Sequence, residues 1–435
     1  MGDGSADLGD STGARVRVTL LLSSLHGGGA ERVAVHLLNR CDPRLIDVRM
    51  GLLSRTGPFL ADADPSRIDV SPVGQKWLNF EGHNSSFYKP HKLAAALALA
   101  PVNVARMIRG HRPHVVMSFL KGMNLLTGLV VNTMRTDRPR WILREGNNTD
   151  AVIEDELKSG MARRVIKRAT RLAYRAADCF LANSHEMANG LQRTLELDAD
   201  RMRVIHNPID LAKIRRMSKE PVETPRRPFV LTVGRLEYQK AHDMLLKAYA
   251  ASETAKTHDL VILGRGTLEA QTRALAAELG VGDKVIFPGF VANPWAWMAR
   301  AKLFVLSSRW EGFPSVVAEA LACGAPALVT ACDFGPAEVV EDGRSGWVTQ
   351  VDDAPAFTAA MDSLIGDEAK RAEFSRNGLI RAEEFDIDRM VDRYTSLFME
   401  QALAASAVTF GARHHAPSLA PLAPVEVAEA LEPAE

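Results

Sequence analysis

The feature that most limits what this 435-residue chain can fold into is an alternation that runs twice. Short apolar runs of strand length alternate with longer stretches of helical spacing. In the first pass the strand-like runs fall at 16–22, 48–53, 115–119, 141–143, 179–182 and 202–205. The second pass places them at 229–233, 260–263, 284–287, 303–306 and 327–330. Strand–helix alternation of this kind predicts parallel sheets with helices on both faces. Between the passes, residues 219–228 carry Pro221, Pro225 and Pro228 in a charged stretch, which reads as a linker. The expected fold is α/β: two doubly wound, Rossmann-like domains, with a ligand crevice at the carboxyl ends of both sheets. The expected boundaries are a disordered tail over 1–14, a first domain over 15–220, a linker over 221–228, a second domain over 229–385, a helix over 386–404 and a disordered, Ala/Pro-rich tail over 405–435.

Composition narrows the function. Lys+Arg and Asp+Glu are equal at 53 each, but the halves differ. Residues 1–222 hold 33 cations and 23 acids, and the remainder 20 and 30, so the first half is basic and the second acidic. Two faces of opposite charge suit different partners. Nucleic acid is a poor candidate, because the cations lack interleaved aromatic residues. The four cysteines have no C-x-x-C spacing, so they predict neither zinc nor redox chemistry and suit a reducing compartment. The amino end lacks the apolar core of a signal peptide, and the longest apolar stretch, 93–102, is well short of the ~20 residues a membrane helix needs. These readings predict a cytoplasmic location.

Three motifs follow strands and so fall at the expected crevice. In Glu311-Gly312-Phe313-Pro314-Ser315-Val316-Val317-Ala318-Glu319, a tight turn separates a loop carboxylate from a second carboxylate inside a helix start. The helix opening at Ser315 favours a phosphate, and the carboxylates favour hydroxyl groups. Phosphate beside hydroxyls describes a nucleotide sugar. In Gly234-Arg235-Leu236-Glu237-Tyr238-Gln239-Lys240, two cations five residues apart can clamp a diphosphate. In His26-Gly27-Gly28-Gly29-Ala30-Glu31-Arg32, glycines open the first helix and let a backbone approach an anion. It is neither a Walker A loop nor the dinucleotide fingerprint, since Arg32 stands where a third glycine belongs. His26 and His185 have ordinary structural explanations, as does the turn at His206-Asn207-Pro208. Residues 158–175 hold seven cations and no acid. Arg164, Arg168, Arg171 and Arg175 share one helical face, and Ile166, Ala169, Leu172, Ala173 and Ala176 line another. Such a basic amphipathic helix can lie on anionic lipid.

With these pieces placed, the chain resembles the retaining glycosyltransferases of family 4, which have the two-domain GT-B fold. The resemblance runs over about 16–403. It is most specific at Gly234-Arg235 with Lys240, Gly264-Arg265-Gly266, Phe287-Pro288-Gly289-Phe290, the Glu311/Glu319 pair and Gly324-Ala325-Pro326. The wording is similar to enzymes that build capsular, lipid-linked or repeat-unit oligosaccharides. The resemblance implies transfer of a hexosyl or N-acetylhexosaminyl group from a UDP- or GDP-sugar to a lipid-linked or saccharide acceptor, without a metal or other cofactor. Arg235 and Lys240 would hold the donor diphosphate, crowded by Gly28 and Gly29. Glu319 would take the ribose hydroxyls and Glu311 the transferred sugar. Gly264, Phe290, Gly312, Phe313, Pro314 and Ser315 complete the implied donor site. Where many members carry a histidine, this chain has Arg144-Glu145-Gly146-Asn147. Glu145 then stands as a catalytic candidate, and Arg144 and Asn147 fall with the basic helix on the acceptor and membrane side. The resemblance implies a peripheral place on the inner face of the cytoplasmic membrane. An epimerase or phosphorylase on the same architecture, a non-catalytic nucleotide-sugar scaffold and a transferase with a soluble acceptor are the competing readings.

Overall fold

The computed structural model describes residues 15–26, 28–70, 90–134, 137–146, 160–333 and 335–409. The expected tail over 1–14, residues 410–435 of the tail expected over 405–435, and Asn147 lie outside these residues. The first domain is a seven-stranded parallel sheet in the order β3-β2-β1-β4-β5-β6-β7. Its strands are β1 (Val16–Leu22), β2 (Ile46–Leu52), β3 (Ile68–Val70), β4 (Val115–Phe119), β5 (Arg140–Glu145), β6 (Cys179–Ala182) and β7 (Met202–Val204). The order reverses beside β1, which places a crevice at the carboxyl ends of β1 and β4.

Helices cover both faces of this sheet. On one side pack α1 (Gly29–Arg40) and, from the far end of the chain, a long final helix spanning Ile387–Thr409. On the other side pack α2 (Pro90–His111), α3 (Leu120–Thr133), α4 (Gly160–Tyr174) and α5 (His185–Leu195). Val115, Met117 and Ile142 point into the first layer, Val116, Trp141 and Leu143 into the second. Burial on both faces is why these strands read as near-continuous apolar runs.

The second domain is a six-stranded parallel sheet in the order β10-β9-β8-β11-β12-β13. Its strands are β8 (Phe229–Val233), β9 (Asp259–Leu263), β10 (Val285–Gly289), β11 (Leu303–Leu306), β12 (Ala327–Thr330) and β13 (Gly346–Thr349). β13 has no counterpart among the expected strands. In chain order α6 (Leu211–Met217), α7 (His242–Ala251), α8 (Glu269–Glu278), α9 (Ser315–Ala322), α10 (Pro336–Val339), α11 (Ala354–Gly366) and α12 (Glu368–Ala382) pack around it, and the final helix is α13.

Two expected boundaries move. Ile209, Leu211 and Ile214 lie in the core of the second domain with Phe229 and Phe385, so the chain leaves the first domain before residue 209 rather than at 220. The proline-bearing stretch 221–228 therefore connects two parts of the second domain. The return crossing lies beside the outward one: Ile209 N–H donates to Phe385 O, and Ile387 N–H to Ile209 O, both at 2.9 Å. Beyond it α13 runs on to Thr409, past the expected end at 404, through Ala-rich sequence of high helix propensity. Its buried Met390, Tyr394, Leu397 and Phe398 complete the first domain's core.

Candidate functional site

The crevice wall on the second domain is built from loops that leave β8, β9, β10 and β11. The Glu311 carboxylate is buried and held from two directions: Lys240 Nζ lies 2.5 Å from Oε1, and Ser308 Oγ donates to the same oxygen at 2.6 Å. The Gly234–Lys240 loop and the Glu311 turn, each of which follows a strand, are thereby brought to one point. Arg235 is exposed at the mouth of that loop. Gly264, at φ +139°, follows β9, and a Cβ there would sit 1.8 Å from the Gly234 carbonyl oxygen. No side chain fits where these two loops touch. Phe290 follows β10 and is 73% exposed, an aromatic face free to stack.

The turn Gly312-Phe313-Pro314 carries the chain into α9. Pro314 takes the cap position, and the Ser315 N–H folds back onto the Phe313 carbonyl at 2.9 Å. That N–H, expected to face a phosphate, is engaged within the turn. One to two turns on, Glu319 is also largely buried. Its Oε1 accepts from Arg32 Nη1 and its Oε2 from Trp295 Nε1, both at 3.0 Å. Neither partner was among the expected site residues. Trp295 comes from a segment without a motif. Arg32 lies in the glycine-rich motif, and its helical position four residues after Gly28 was the available signal.

The first domain closes over this wall. Gly28 caps α1 in an extended conformation, and both it and Gly29 are exposed at the helix opening. A Cβ on Gly29 would lie 3.1 Å from the Asn207 amide nitrogen. A Cβ on Gly312 would lie 1.9 Å from the Gly146 carbonyl oxygen, so the two domains meet backbone to backbone there. Arg32–Glu319 spans the crevice as an ion pair. Deeper in, two helix openings exchange carboxylates. Glu338, on α10, accepts from the His185 and Glu186 N–H groups at the start of α5 at 2.8 and 2.7 Å. Glu186 accepts from the Gly335 N–H at the start of α10 at 3.0 Å. His206 Nε2 lies 3.1 Å from Glu338. The hydrogen bonds from His206 and these N–H groups outweigh burial and hold the Glu338 carboxyl below the usual carboxylate range.

His185, His206 and Glu338 offer ligand atoms within 4.8 Å of one another, the one group with metal-binding spacing among the described residues. Both Glu338 oxygens already accept main-chain N–H groups, and Arg381 and Arg393 line the same cavity. The carboxylate therefore serves as a helix cap joining the domains.

Two candidates are displaced from the site. Glu145 ends β5 and is fully buried, with its carboxyl inside the first domain. It accepts from Tyr174 Oη at 2.8 Å and Asn124 Nδ2 at 3.3 Å, and burial raises its pKa. Arg144 is 1% exposed, donating from Nε to Tyr394 Oη at 3.0 Å and from Nη2 to Asn207 Oδ1 at 2.5 Å. Consecutive strand residues point to opposite faces, and both faces of this sheet are covered. Glu145 therefore turns under α4 and Arg144 under α13, and neither reaches an acceptor or a membrane. Among the described residues of this segment, the Gly146 backbone touches the crevice. On the basic helix, Arg164 and Arg168 are exposed, while Arg171 pairs with Glu196 at 2.8 Å and Arg175 approaches it at 3.8 Å. Leu172, on the helix face expected to be apolar, is 62% exposed.

Comparison with known proteins agrees with the two-domain fold. Residues 27–213 match the model described as Glycosyltransferase Family 4, and residues 213–381 the model described as Glycosyl transferases group 1. The switch between them at 213 lies close to the observed crossing. Over 248 residues the chain is 31% identical to the N-acetylgalactosamine-N,N'-diacetylbacillosaminyl-diphospho-undecaprenol 4-alpha-N-acetylgalactosaminyltransferase of Campylobacter jejuni, covering 55% of this chain and 67% of that one. Over 376 residues it is 25% identical to the lipopolysaccharide core biosynthesis glycosyltransferase LpsE of Rhizobium meliloti, covering 85% and 95%. The crystal structure of Anabaena HepE in complex with UDP superposes with a TM-score of 0.69 at 18% identity, covering 88% of this chain and all of that one. The two facing parallel-sheet domains and these matches together place the chain in the family 4 glycosyltransferases of GT-B fold.

Proposed function

We propose that the chain is a retaining transferase that moves a hexosyl or N-acetylhexosaminyl group from a UDP- or GDP-sugar to a lipid-linked or growing saccharide in cell-surface glycan synthesis. The observation that carries this reading is the convergence of Lys240, Glu311 and Arg235 on one crevice wall, opposite the Gly28-Gly29 opening of α1. The donor diphosphate lies between the cations and the helix opening. Glu319 takes the ribose hydroxyls from Arg32 and Trp295, and Phe290 stacks on the base. Glu311, released from Lys240 as the phosphate claims that ammonium, accepts from a hydroxyl of the transferred sugar. The bond from the anomeric carbon to the diphosphate oxygen breaks, and the leaving group takes the electron pair. The acceptor hydroxyl forms the new bond on the face the diphosphate leaves and passes its proton to the departing diphosphate oxygen. Charge growing on the diphosphate is met by Arg235, Lys240 and the α1 opening, which supply the stabilisation a metal would otherwise give. The relatives named for undecaprenol-linked and lipopolysaccharide glycans support a lipid-linked acceptor. The exposed Arg164 and Arg168 on α4 support peripheral contact with an anionic inner leaflet. Among the described residues no helix is long and apolar enough to cross a membrane.

The test is nucleotide release from a panel of UDP- and GDP-sugars, with and without a membrane lipid extract and with EDTA. The expected result is one preferred donor, stimulation by lipid, activity unchanged by EDTA, and a product of the donor's anomeric configuration by NMR. An inverted product, or activity that needs added Mg²⁺ or Mn²⁺, overturns the corresponding part.

A further inference from the structure

Among the described residues, Arg144 is a buried cation with neutral partners. Its Nε donates to Tyr394 Oη, its Nη2 to Asn207 Oδ1, and its guanidinium carbon lies 5.3 Å from the centroid of the Phe119 ring. A buried charge is costly unless something compensates it, and hydroxyl and amide oxygens do so only in part. The Arg144–Asn207 bond also fixes which way the amide points. A guanidinium only donates, so the atom facing it is Oδ1 and Nδ2 is turned away. Nδ2 lies towards Gly29 at the α1 opening, 3.1 Å from where a Cβ on that glycine would be. Asn207 is only 5% exposed, yet among the described residues Nδ2 donates to no group. Nor is it one of the sealed side-chain atoms that lack a partner, so it opens onto accessible space. The opening itself is not simply positive, because the Glu31 carboxylate bends back to 2.7 Å from the Cβ position of Gly28. An anion on the Gly29 side therefore draws on Arg144, through the polarised Asn207 amide, as well as on the helix dipole.

We propose that Asn207 binds the donor's diphosphate: Nδ2 donates to one of its oxygens beside Gly29, and Arg144 and Tyr394 are the positioning residues that hold the amide there. This rests on the transferase reading and adds to it a donor from the first domain, facing the cations of the second. As the bond from the anomeric carbon to the diphosphate oxygen breaks, the electron pair stays on the diphosphate. A donor already oriented towards that growing charge needs no reorganisation at the moment of reaction. The turn at His206-Asn207-Pro208 thus carries a ligand contact, and Arg144 acts on the substrate only through it.

The deciding variant is Asn207→Asp. It keeps an oxygen for Arg144 and replaces the free amide by a second oxygen. Were the bond to Arg144 the whole role of Asn207, this variant would pair the buried cation and keep its activity. The expected result is the opposite: UDP or GDP binding weaker by about tenfold or more in calorimetry, uridine or guanosine binding unchanged, and turnover lower on the order of 10²-fold. Asn207→Ala should lower turnover less, since it removes the donor without adding negative charge. Its cost should be smaller in an Arg144→Met background than in wild type, because an unheld amide no longer aims at the phosphate. Arg144→Lys should restore part of what Arg144→Met loses. Wild-type affinity for UDP and GDP in Asn207→Asp, an equal loss of uridine or guanosine binding, or fully additive costs in the double variant overturns the proposal. So does a wild type that binds neither UDP nor GDP. Should the Asn207 variants not fold, Tyr394→Phe decides, since it removes only the hydroxyl that steadies Arg144. Turnover lower by about threefold or more at a temperature where it is folded upholds the proposal, and wild-type turnover overturns it. Diphosphate-specific weakening in Asn207→Asp, with no UDP- or GDP-sugar turned over by wild type, would sink the transferase reading and leave this contact standing. Transfer by wild type that Asn207→Asp leaves unchanged would do the reverse.

Discussion

Glu311 and Glu145 invite comparison. Both are glutamates placed just beyond or at the end of a parallel strand, both are buried, and both are catalytic candidates on the family resemblance. Their surroundings separate them. Glu311 meets a lysine and a serine hydroxyl at the crevice wall, partners that can exchange for a ligand. Glu145 meets a tyrosine and an asparagine under a helix, with its pKa raised by burial. One carboxylate faces the crevice, and the other ties α4 to the sheet. Burial does not distinguish the two roles; the nature of the partners, and whether the cavity beyond them opens, does.

The comparison breaks first if Glu311 proves idle. Lys240→Ala or Glu311→Ala should lower turnover on the order of 10²-fold or more, because each removes a group aimed at the reacting sugar phosphate. Wild-type rates in either variant, measured by nucleotide release with a verified donor, would move the chemistry elsewhere. Next in size is Gly312→Ala. The added methyl overlaps the Gly146 carbonyl, so the domains cannot close fully. Transfer should fall by about 10²-fold while binding of free nucleotide to the second domain persists. Equal loss of both would show that the turn itself has collapsed.

A third variant sharpens the division between the paired carboxylates. Glu319→Ala should weaken UDP or GDP binding about tenfold by calorimetry, near 1.4 kcal/mol. Glu311→Ala should leave that affinity almost intact. The smallest effect belongs to Glu145→Gln, which keeps an acceptor for Tyr174 and removes the charge. Turnover should change by less than about threefold, within what a well-placed substitution outside the site allows. Its stability carries a sign. The folded pKa of Glu145 is raised from 4.5, so its contribution is fully present below that value and is lost as pH climbs towards the raised one. The stability advantage of Glu145→Gln over wild type should therefore widen from about pH 4.5 upwards. A constant or shrinking gap between their melting temperatures over that range would contradict the buried, protonation-favouring environment.

The architecture was legible because both sheets bury both faces and advertise it as repeated apolar runs between helical stretches. The Glu311 turn and the Gly234–Lys240 loop were legible because each is local and each follows a strand. What escaped depends on distant chain. The direction of Arg144 and Glu145 is set by which helices cover β5, and one of them, α13, arrives some 240 residues later, as the Arg144–Tyr394 bond shows (|i−j| = 250). Ile209, Leu211 and Ile214 look like the end of the first domain because they follow its last strand, yet their apolar stripe fits the second core. Arg32 and Trp295 reach Glu319 from different domains, and no spacing along the chain encodes that meeting.

The double crossing at Ile209 and Asp386 has a consequence for the order in which the molecule can be made. Domains generally fold as units, the earlier-synthesised one first. Here the first domain lacks Met390, Tyr394, Leu397 and Phe398 until α13 has left the ribosome, by which time every residue of the second domain has emerged. The half that begins first is thus the half that finishes last. During that interval its sheet would present bare apolar surface between β1 and β5, and a chaperone that shields nascent strands would find its longest-lived client there.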